Sequence, residues 1–363
     1  MRIRLPLLVL LFATLSARGD ALDSYVHNLL ETNRLPGLSL AIIQSNQMVK
    51  AAAYGLADKE TKTPVSTNTL FQAASISKPL ASLGVLRLVD LKQLSLDEDV
   101  NTKLKSWQIP ENKFTKVEKV TLRRILSHSA GLTIHGFRGY AVGEEVPTML
   151  QVLDGRAPSN NSPIRVNTTP GSAVRYSGGG FVIVQQLVTD VTGQPCSKHL
   201  NNFVLQPLGM TNSTFDQPLP DSKGPQAAHG YYGNGDPVKH GWHTYPEIAA
   251  AGLWTTPSEL ARYVIAVQEF FDGKSAPVLS RALTREMLTP QKEGMGLGLM
   301  LGRHYFTHGG RNEGFDSLLI GNTETGCGLV IMLNANDDTG ALQSVKKFIA
   351  REYHWAEQPK SSK

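Results

Sequence analysis

The chain has 363 residues, of which 41% are hydrophobic and 18% charged, and its formal net charge is +5 at pH 7. This length and composition predict a globular protein that buries a large core, as one big domain or two intertwined ones. Lys and Arg are scattered without a dense run or interleaved aromatic residues, so we expect no nucleic-acid partner. Two cysteines, Cys196 and Cys327, are too few for a disulfide scaffold, and we expect both thiols to be free.

The first residues of the chain predict export. Arg2 and Arg4 precede an apolar run from Leu5 to Leu15, and small residues follow that suit cleavage by signal peptidase. We therefore predict a signal peptide over residues 1–19 and a periplasmic or secreted mature protein. The apolar run is too short to span a bilayer comfortably, and no later run approaches ~20 apolar residues, so no stable membrane anchor is expected.

The mature chain begins and ends with strand patterns. Residues 37–44 and 48–58 are apolar or alternating runs around a short polar turn, which predicts a β-hairpin. Four more short runs near the C-terminus have an antiparallel character: 294–301, 304–310, 316–322 and 327–336. A closing helix is predicted by the helical spacing of Leu342, Val345, Ile349 and Tyr353. The predicted sheet is therefore divided between the two ends of the chain.

Between these ends the pattern changes to helices and long loops. Residues 120–132 and 179–193 predict helices that end at Gly131 and Gly193, as glycine C-caps do. The other segments of this part are rich in Pro, Gly, Ser and Asn, which favours surface loops.

This change of pattern predicts a division of the chain. We expect a sheet domain formed by residues 22–90 and 246–356, with residues 91–245 inserted as a helical subdomain. Long loops in a compact protein often line a site, so residues 139–165 and 217–239 are expected to set specificity.

Residues 71–80 read FQAASISKPL and place Ser75 and Lys78 three positions apart at the start of a predicted helix. Ser-x-x-Lys is a weak signal by itself, because Ser344 and Lys347 repeat it on the closing helix. Ser75 differs because a run that is apolar almost all round follows it, which predicts a rigid, buried helix. From these four residues alone, a helix cap followed by an extended surface lysine is the favoured interpretation.

Two further segments favour chemistry. Tyr176 precedes a Gly-rich turn that opens a helix, and His308, Gly309 and Gly310 end a predicted strand, where the backbone can approach a ligand closely. His240 and His243 are three apart, but no third ligand has a sensible spacing, so we expect no metal and no cofactor.

Together these segments resemble the penicillin-recognising serine hydrolases, the superfamily of serine β-lactamases and D-alanyl-D-alanine peptidases. The branch most similar contains class C β-lactamases, D-aminopeptidases and β-lactamase-like esterases. The motifs follow the expected order over nearly the whole mature chain: SISK, LSHSAGL, YSG, PLGMTNSTF, AAGLWTTPSELARY and HGG. The resemblance implies an α+β fold with a five-stranded antiparallel sheet flanked by helices, a mostly helical subdomain, and a site in the groove between them.

The implied mechanism is acyl transfer. Ser75 would attack a carbonyl, Lys78 and Tyr176 would move the proton, and water would hydrolyse the covalent acyl-enzyme. A lysine is a base only if burial or a nearby cation lowers its pKa, and a tyrosine beside an ammonium should gain phenolate character. Which of the two is the base stays open here. The resemblance also implies an oxyanion hole formed by the backbone N–H groups of Ser75 and Arg311.

Two positions depart from the best-known patterns. Many relatives have Tyr-x-Asn where this chain has Gly178 in the third place, which lowers the expectation of efficient β-lactam hydrolysis. Many β-lactamases have a strand lysine where this chain has His308, and a neutral histidine is a weaker carboxylate anchor. Arg311 is a candidate to compensate, because guanidinium binds carboxylates bidentately, or else it is a surface residue on a loop. His128 is expected to be structural. The predicted substrate-binding residues are Gly178, His308, Gly309, Gly310 and Arg311.

The favoured interpretation is an exported serine hydrolase that acts on small esters or amides, with D-amino-acid peptides as one candidate class. One alternative is a class C-like β-lactamase. Another is a non-catalytic penicillin-binding or cell-wall-binding protein on the same fold. The presence of Ser75, Lys78 and Tyr176 together favours catalysis, because a binding module has no chemical need for that set.

Overall fold

The structure, a computed structural model, describes residues 21–274 and 278–355. The predicted signal peptide over residues 1–19 lies outside these ranges. Within them, no helix has the length and apolar character needed to cross a membrane. Cys196 and Cys327 are both free.

The predicted N-terminal hairpin is confirmed. Helix α1 (residues 21–33) leads into β1 (Gly37–Gln44) and β2 (Gln47–Asp58). The hairpin turn consists of Ser45 and Asn46, whose φ angles of +51° and +60° are those of a two-residue turn that matches the twist of the strands. Two short strands follow, β3 (Thr63–Pro64) and β4 (Phe71–Gln72).

A 3₁₀ turn (Ala74–Ile76) and helix α2 (Ser77–Asp90) come next. The elements after α2 are a 3₁₀ turn (Val100–Thr102), α3 (Leu122–Leu126), β5 (Tyr140–Ala141), α4 (Met149–Asp154), α5 (Gly178–Thr192), α6 (Cys196–Leu200), a π-helical turn (Asn201–Leu205), 3₁₀ turns (Asp221–Gln226 and Lys239–Gly241) and β6 (His243–Thr244). The prediction of α5 and its Gly193 cap is confirmed. The helix predicted over 120–132 is wrong in length, because the backbone leaves helical geometry at His128, where φ is +55°.

The remaining elements are α7 (Ile248–Ala251), β7 (Trp254–Thr255), α8 (Pro257–Asp272), α9 (Arg281–Met287), β8 (Met300–Leu301), β9 (Tyr305–Asn312), β10 (Phe315–Asn322), β11 (Gly328–Leu333) and α10 (Ala341–Glu352). The predicted C-terminal strands and closing helix are present, with one exception. Residues 294–301 form a strand only at Met300 and Leu301, because the chain folds back on itself through a bridge between Met295 and Met300.

The main sheet is antiparallel and has the order β3-β2-β1-β11-β10-β9-β8. The expected number of five strands is corrected to seven: five long strands are present, and a two-residue strand is added at each edge. β1 pairs with β11, with Leu40 opposite Ile331. This pairing joins the two ends of the chain in one sheet, as the sequence predicts.

Apolar side chains cover both faces of the sheet. Leu38, Leu40 and Ile42 of β1 pack with α1 and α10, whereas Ala41 and Ile43 join the larger core that also contains α2, α5 and α8. That larger core continues into residues 91–245. The division of the chain into a sheet domain and an inserted subdomain stays a prediction.

Candidate active site

Ser75 lies in the 3₁₀ turn before α2, and the residue in front of it has an unusual backbone. Ala74 has a φ of +51°, a conformation that costs a non-glycine residue about 1–3 kcal/mol and persists only where its surroundings hold it. Two hydroxyls hold this turn: Ser317 donates to the Ala73 carbonyl at 2.9 Å, and Ser77 donates to the Ala74 carbonyl at 2.6 Å. Ser75 is half-buried between fully buried neighbours, so the turn presents its hydroxyl to the adjoining cavity.

Lys78 is buried on α2 with only 2% of its surface exposed. Its Nζ donates to Ser75 Oγ at 2.9 Å and to the Ala250 carbonyl at 2.7 Å, and no carboxylate pairs with it among the described residues. Burial lowers the pKa of Lys78 to about 7. A large share of Lys78 is therefore a neutral amine at neutral pH, in hydrogen-bonding contact with the hydroxyl that it would deprotonate.

Tyr176 completes the cluster immediately before α5. Its ring centroid lies 5.0 Å from Lys78 Nζ. Burial raises the pKa of Tyr176 to about 12, although a hydrogen bond with the Ser75 side chain lowers it. This direction is the reverse of the expected phenolate character. The resting site pairs a neutral phenol with a weakly basic amine, which favours Lys78 as the base.

The HGG segment lies within β9 and not at a strand end. Gly310 does approach another backbone closely, but that backbone belongs to the protein itself: a Cβ on Gly310 would lie 2.2 Å from the Ala73 carbonyl oxygen. His308 is 1% exposed, and burial together with the charge on Lys78 lowers its pKa to about 3. His308 is therefore neutral, as expected, and Gly310 lets β9 pack against the Ser75 turn.

The guanidinium of Arg311 is committed to another partner. Its Nε donates to Asp316 Oδ1 at 2.9 Å, and its Nη2 donates to Asp316 Oδ2 at 2.6 Å and to the Asp337 carbonyl at 3.0 Å. Asp338 Oδ1 lies 3.3 Å from Nη1. The hypothesis of a free carboxylate anchor is therefore not supported. The role of the Arg311 backbone N–H in an oxyanion hole stays a prediction.

Gly178 does not line the cavity that Ser75 faces. Its N–H donates to the His135 carbonyl at 3.0 Å, and a Cβ there would lie 3.0 Å both from that oxygen and from the Phe137 ring. The loop at residues 135–137 thus covers this position. The structure places Gly178 outside this cavity, and its substrate-binding role stays a prediction.

A cavity of about 610 Å³ brings the other candidates together: Ser75, Lys78, Tyr176, His308, Gly309, Gly310 and Arg311 all line it. Its apolar wall includes Phe137, Ala250, Ala251, Met300, Leu318 and Leu342. Sequence reasoning missed this wall and the Ala250 carbonyl that accepts from Lys78. Every residue has a backbone carbonyl, so the residue types in the sequence could not indicate that the carbonyl of Ala250 accepts this hydrogen bond.

The comparison with known families decides what kind of protein has this site. The model of the Beta-lactamase family matches residues 22–353. The chain belongs to the beta-lactamase family. Members of this family are serine hydrolases, which agrees with the Ser75–Lys78–Tyr176 cluster.

Two curated proteins are similar in sequence to this chain, and only one of them has a name that states an activity. "Protein flp" of Staphylococcus aureus strain N315 is 24% identical over 330 residues, which cover 87% of this chain and 63% of that protein. "Esterase EstB" of Burkholderia gladioli is 30% identical over 215 residues, which cover 58% of this chain and 54% of the esterase. The chain therefore spans less than two thirds of the length of these relatives.

Solved structures support the family fold. A D-amino acid amidase from Ochrobactrum anthropi SV3, complexed with D-phenylalanine, is 22% identical with a TM-score of 0.72, over 93% of this chain and 98% of the amidase. A class C beta-lactamase is 20% identical with a TM-score of 0.74, over 95% of this chain and 98% of the lactamase. At these identities the likeness establishes the fold and not the substrate.

Proposed function

We propose that this member of the beta-lactamase family is a serine hydrolase that cleaves small esters or amides without a free carboxylate, through an acyl-enzyme on Ser75. The observation that carries the proposal is the buried Lys78 amine, 2.9 Å from Ser75 Oγ and with its pKa lowered to about 7. A serine hydroxyl is a poor nucleophile unless an adjacent base takes its proton. Lys78 is such a base at neutral pH.

The reaction proceeds in two steps, acylation of Ser75 and hydrolysis of the acyl-enzyme. Ser75 Oγ bonds to the substrate carbonyl carbon while its proton passes to Lys78 Nζ, and the oxyanion is held by the backbone N–H groups of Ser75 and Arg311. The leaving group departs with a proton supplied through the Tyr176 hydroxyl and Lys78. Water then attacks the acyl carbon, gives its proton to the same pair, and releases the acid and free Ser75.

The charges around the cavity support a substrate without a free carboxylate. Arg311 is paired with Asp316, and His308 is neutral. Lys78 is hydrogen-bonded to Ser75 and to the Ala250 carbonyl, so none of the lysines and arginines that line the described part of the cavity is free to bind a carboxylate such as the one that penicillins carry. The apolar wall suits an apolar acyl or leaving group. The printed names of the esterase and the D-amino acid amidase support both the ester and the amide form of the proposal.

The first test is labelling of the active serine. Purified protein is incubated with a fluorophosphonate and the intact mass is measured, with Ser75→Ala as the loss variant. Ser344→Ala is the matched control, because Ser344 and Lys347 have the same spacing on α10. We expect one adduct that disappears only in Ser75→Ala. A folded wild-type protein that takes no adduct would refute the proposal and favour a binding protein.

The second test concerns substrate charge. A neutral p-nitrophenyl butyrate and the p-nitrophenyl ester of succinic acid differ chiefly by one carboxylate. We expect kcat/KM to be at least about tenfold higher for the butyrate, since a desolvated carboxylate without a partner is costly. Equal values of kcat/KM would contradict the charge argument. Rapid turnover of nitrocefin would instead support a class C-like β-lactamase.

We further propose that the protein is exported, on the basis of the N-terminal charge and apolar pattern. The test is N-terminal sequencing of the protein recovered from its native cells, fractionated into periplasm, medium and cytoplasm. Cytoplasmic recovery of a chain that retains residues 1–19 would contradict export.

A further inference from the structure

His128 has a strained backbone that the structure holds from several sides. It follows α3 and has a φ of +55°, which is uncommon for a residue other than glycine. Its own N–H donates to the Ile125 carbonyl at 3.0 Å, and its side chain is 2% exposed. Strain of this kind persists where surrounding contacts require it, so the contacts of His128 indicate what it does.

Three contacts of His128 surround Tyr176. Its carbonyl accepts a hydrogen bond from the Arg175 N–H at 2.7 Å, and its Nδ1 accepts one from the Ser177 N–H at 3.1 Å. Its ring lies against the Tyr176 ring, with centroids 4.2 Å apart and planes inclined by 30°. One residue thus holds the backbone on both sides of Tyr176 and also contacts its side chain.

The protonation state of His128 suits this arrangement. An Nδ1 that accepts from an N–H places the ring proton on Nε2. Burial, together with the charge of Lys78, holds the pKa of His128 well below its ordinary value. The imidazole therefore stays neutral and keeps its acceptor.

We infer that His128 is a positioning residue for catalysis, which keeps the Tyr176 hydroxyl close to Ser75 and Lys78. The inference rests on the proposed function. His128 does not line the cavity, so it would act through Tyr176 and not on the substrate. A reactive group displaced by about 1 Å can lose on the order of a hundredfold in rate, so a contact set of this kind has a measurable effect.

Two variants separate the parts of this contact set. His128→Phe keeps an aromatic ring beside Tyr176 and removes the Nδ1 acceptor. His128→Asn keeps an acceptor, in a residue type that tolerates positive φ, and removes the ring. His199→Asn is the matched control, because His199 is also a buried histidine but contacts the Gly84 carbonyl on α2, away from the cavity.

The decisive measurement is a double-mutant cycle with Tyr176→Phe, using ester turnover and the rate of fluorophosphonate labelling. We expect His128→Phe to lower kcat about tenfold with KM within about twofold, and to cause no further loss in the Tyr176→Phe background. His199→Asn should leave kcat per folded molecule unchanged. A tenfold loss that persists in the Tyr176→Phe background, a change confined to KM, or no loss at all would overturn the inference.

If His128→Phe does not fold, His128→Asn carries the same cycle. Its loss of ring contact should lower kcat by about threefold in the presence of Tyr176 and have no effect without it. If the wild-type protein is labelled normally but the effects of the His128 and Tyr176 substitutions on kcat are additive, the positioning role alone is refuted. A wild-type protein that is not labelled overturns the proposed function and this inference together.

Discussion

Replacement of Lys78 by methionine should remove activity and raise stability at the same time. Burial lowers the pKa of Lys78 from 10.5 to about 7, which corresponds to roughly 5 kcal/mol of unfavourable free energy for the charged form in the folded state. Methionine has a similar length and no charge to desolvate. The Ala250 carbonyl loses its donor, at a cost of about 1–3 kcal/mol. The expected net gain in the free energy of unfolding is therefore about 2–4 kcal/mol at pH 6.

The gain should depend on pH in a definite direction. Below about pH 7, Lys78 is charged in both the folded and the unfolded state, and the wild type bears the full cost. As pH rises from 7 towards 10.5, the folded protein releases this proton first, so the wild type gains stability and the advantage of Lys78→Met shrinks. By pH 9 it should have fallen by roughly 3 kcal/mol, to near zero.

Urea denaturation of both proteins at pH 6, 7, 8 and 9 measures this difference, with m-values compared to confirm two-state behaviour. Lys347→Met is the matched control, because Lys347 has the same Ser-x-x-Lys spacing and is exposed, so its substitution should leave stability nearly unchanged at every pH. A Lys78→Met protein that is less stable than wild type at pH 6, or a difference that does not vary with pH, would refute the argument that Lys78 is a desolvated base.

The remaining predictions concern the same cavity. The rate of Ser75 labelling by fluorophosphonate should rise with pH about a midpoint near 7, as Lys78 loses its proton; a flat profile from pH 5 to 9 would contradict its role as base. Arg311→Met should lower the free energy of unfolding by roughly 1–3 kcal/mol, measured by urea denaturation, because buried Asp316 loses its partner, and should leave KM for the succinate ester unchanged. Gly178→Asn should lower Tm and bring no nitrocefin turnover, since the asparagine side chain would collide with Phe137. Efficient turnover would show that the loop at residues 135–137 moves to make room for it.

Much of the fold could be predicted because periodicity records burial directly. Residues 37–44 are mostly apolar, and β1 is an interior strand of the sheet that is buried on both faces. The helix over 179–193 could be predicted for the same reason, together with its glycine cap. The predictions for 120–132 and 294–301 are wrong in length. A tertiary hydrogen bond from the Arg175 N–H to the His128 carbonyl accompanies the end of the first segment's helical geometry, and a local turn that brings Met295 back to Met300 interrupts the second.

The candidate site was predicted only in part. The order of the SISK, YSG and HGG motifs was sufficient to select Ser75, Lys78 and Tyr176, which the structure brings together. Half-buried Ser344 and exposed Lys347 on α10 do not line the cavity. Gly178 and the Arg311 guanidinium were assigned to substrate by position in a motif. The structure gives them other neighbours, the 135–137 loop and Asp316.

By itself the sequence determined which residues are candidates for the chemistry and that the two ends of the chain share one sheet, because side-chain identity and apolar periodicity are local properties. Only the tertiary structure decided how those residues are protonated. The pKa of Lys78 falls and that of Tyr176 rises because the packed chain removes water from both. Desolvation depends on everything that surrounds a group in space, and that is set by the whole fold and not by the neighbours of a residue in the chain.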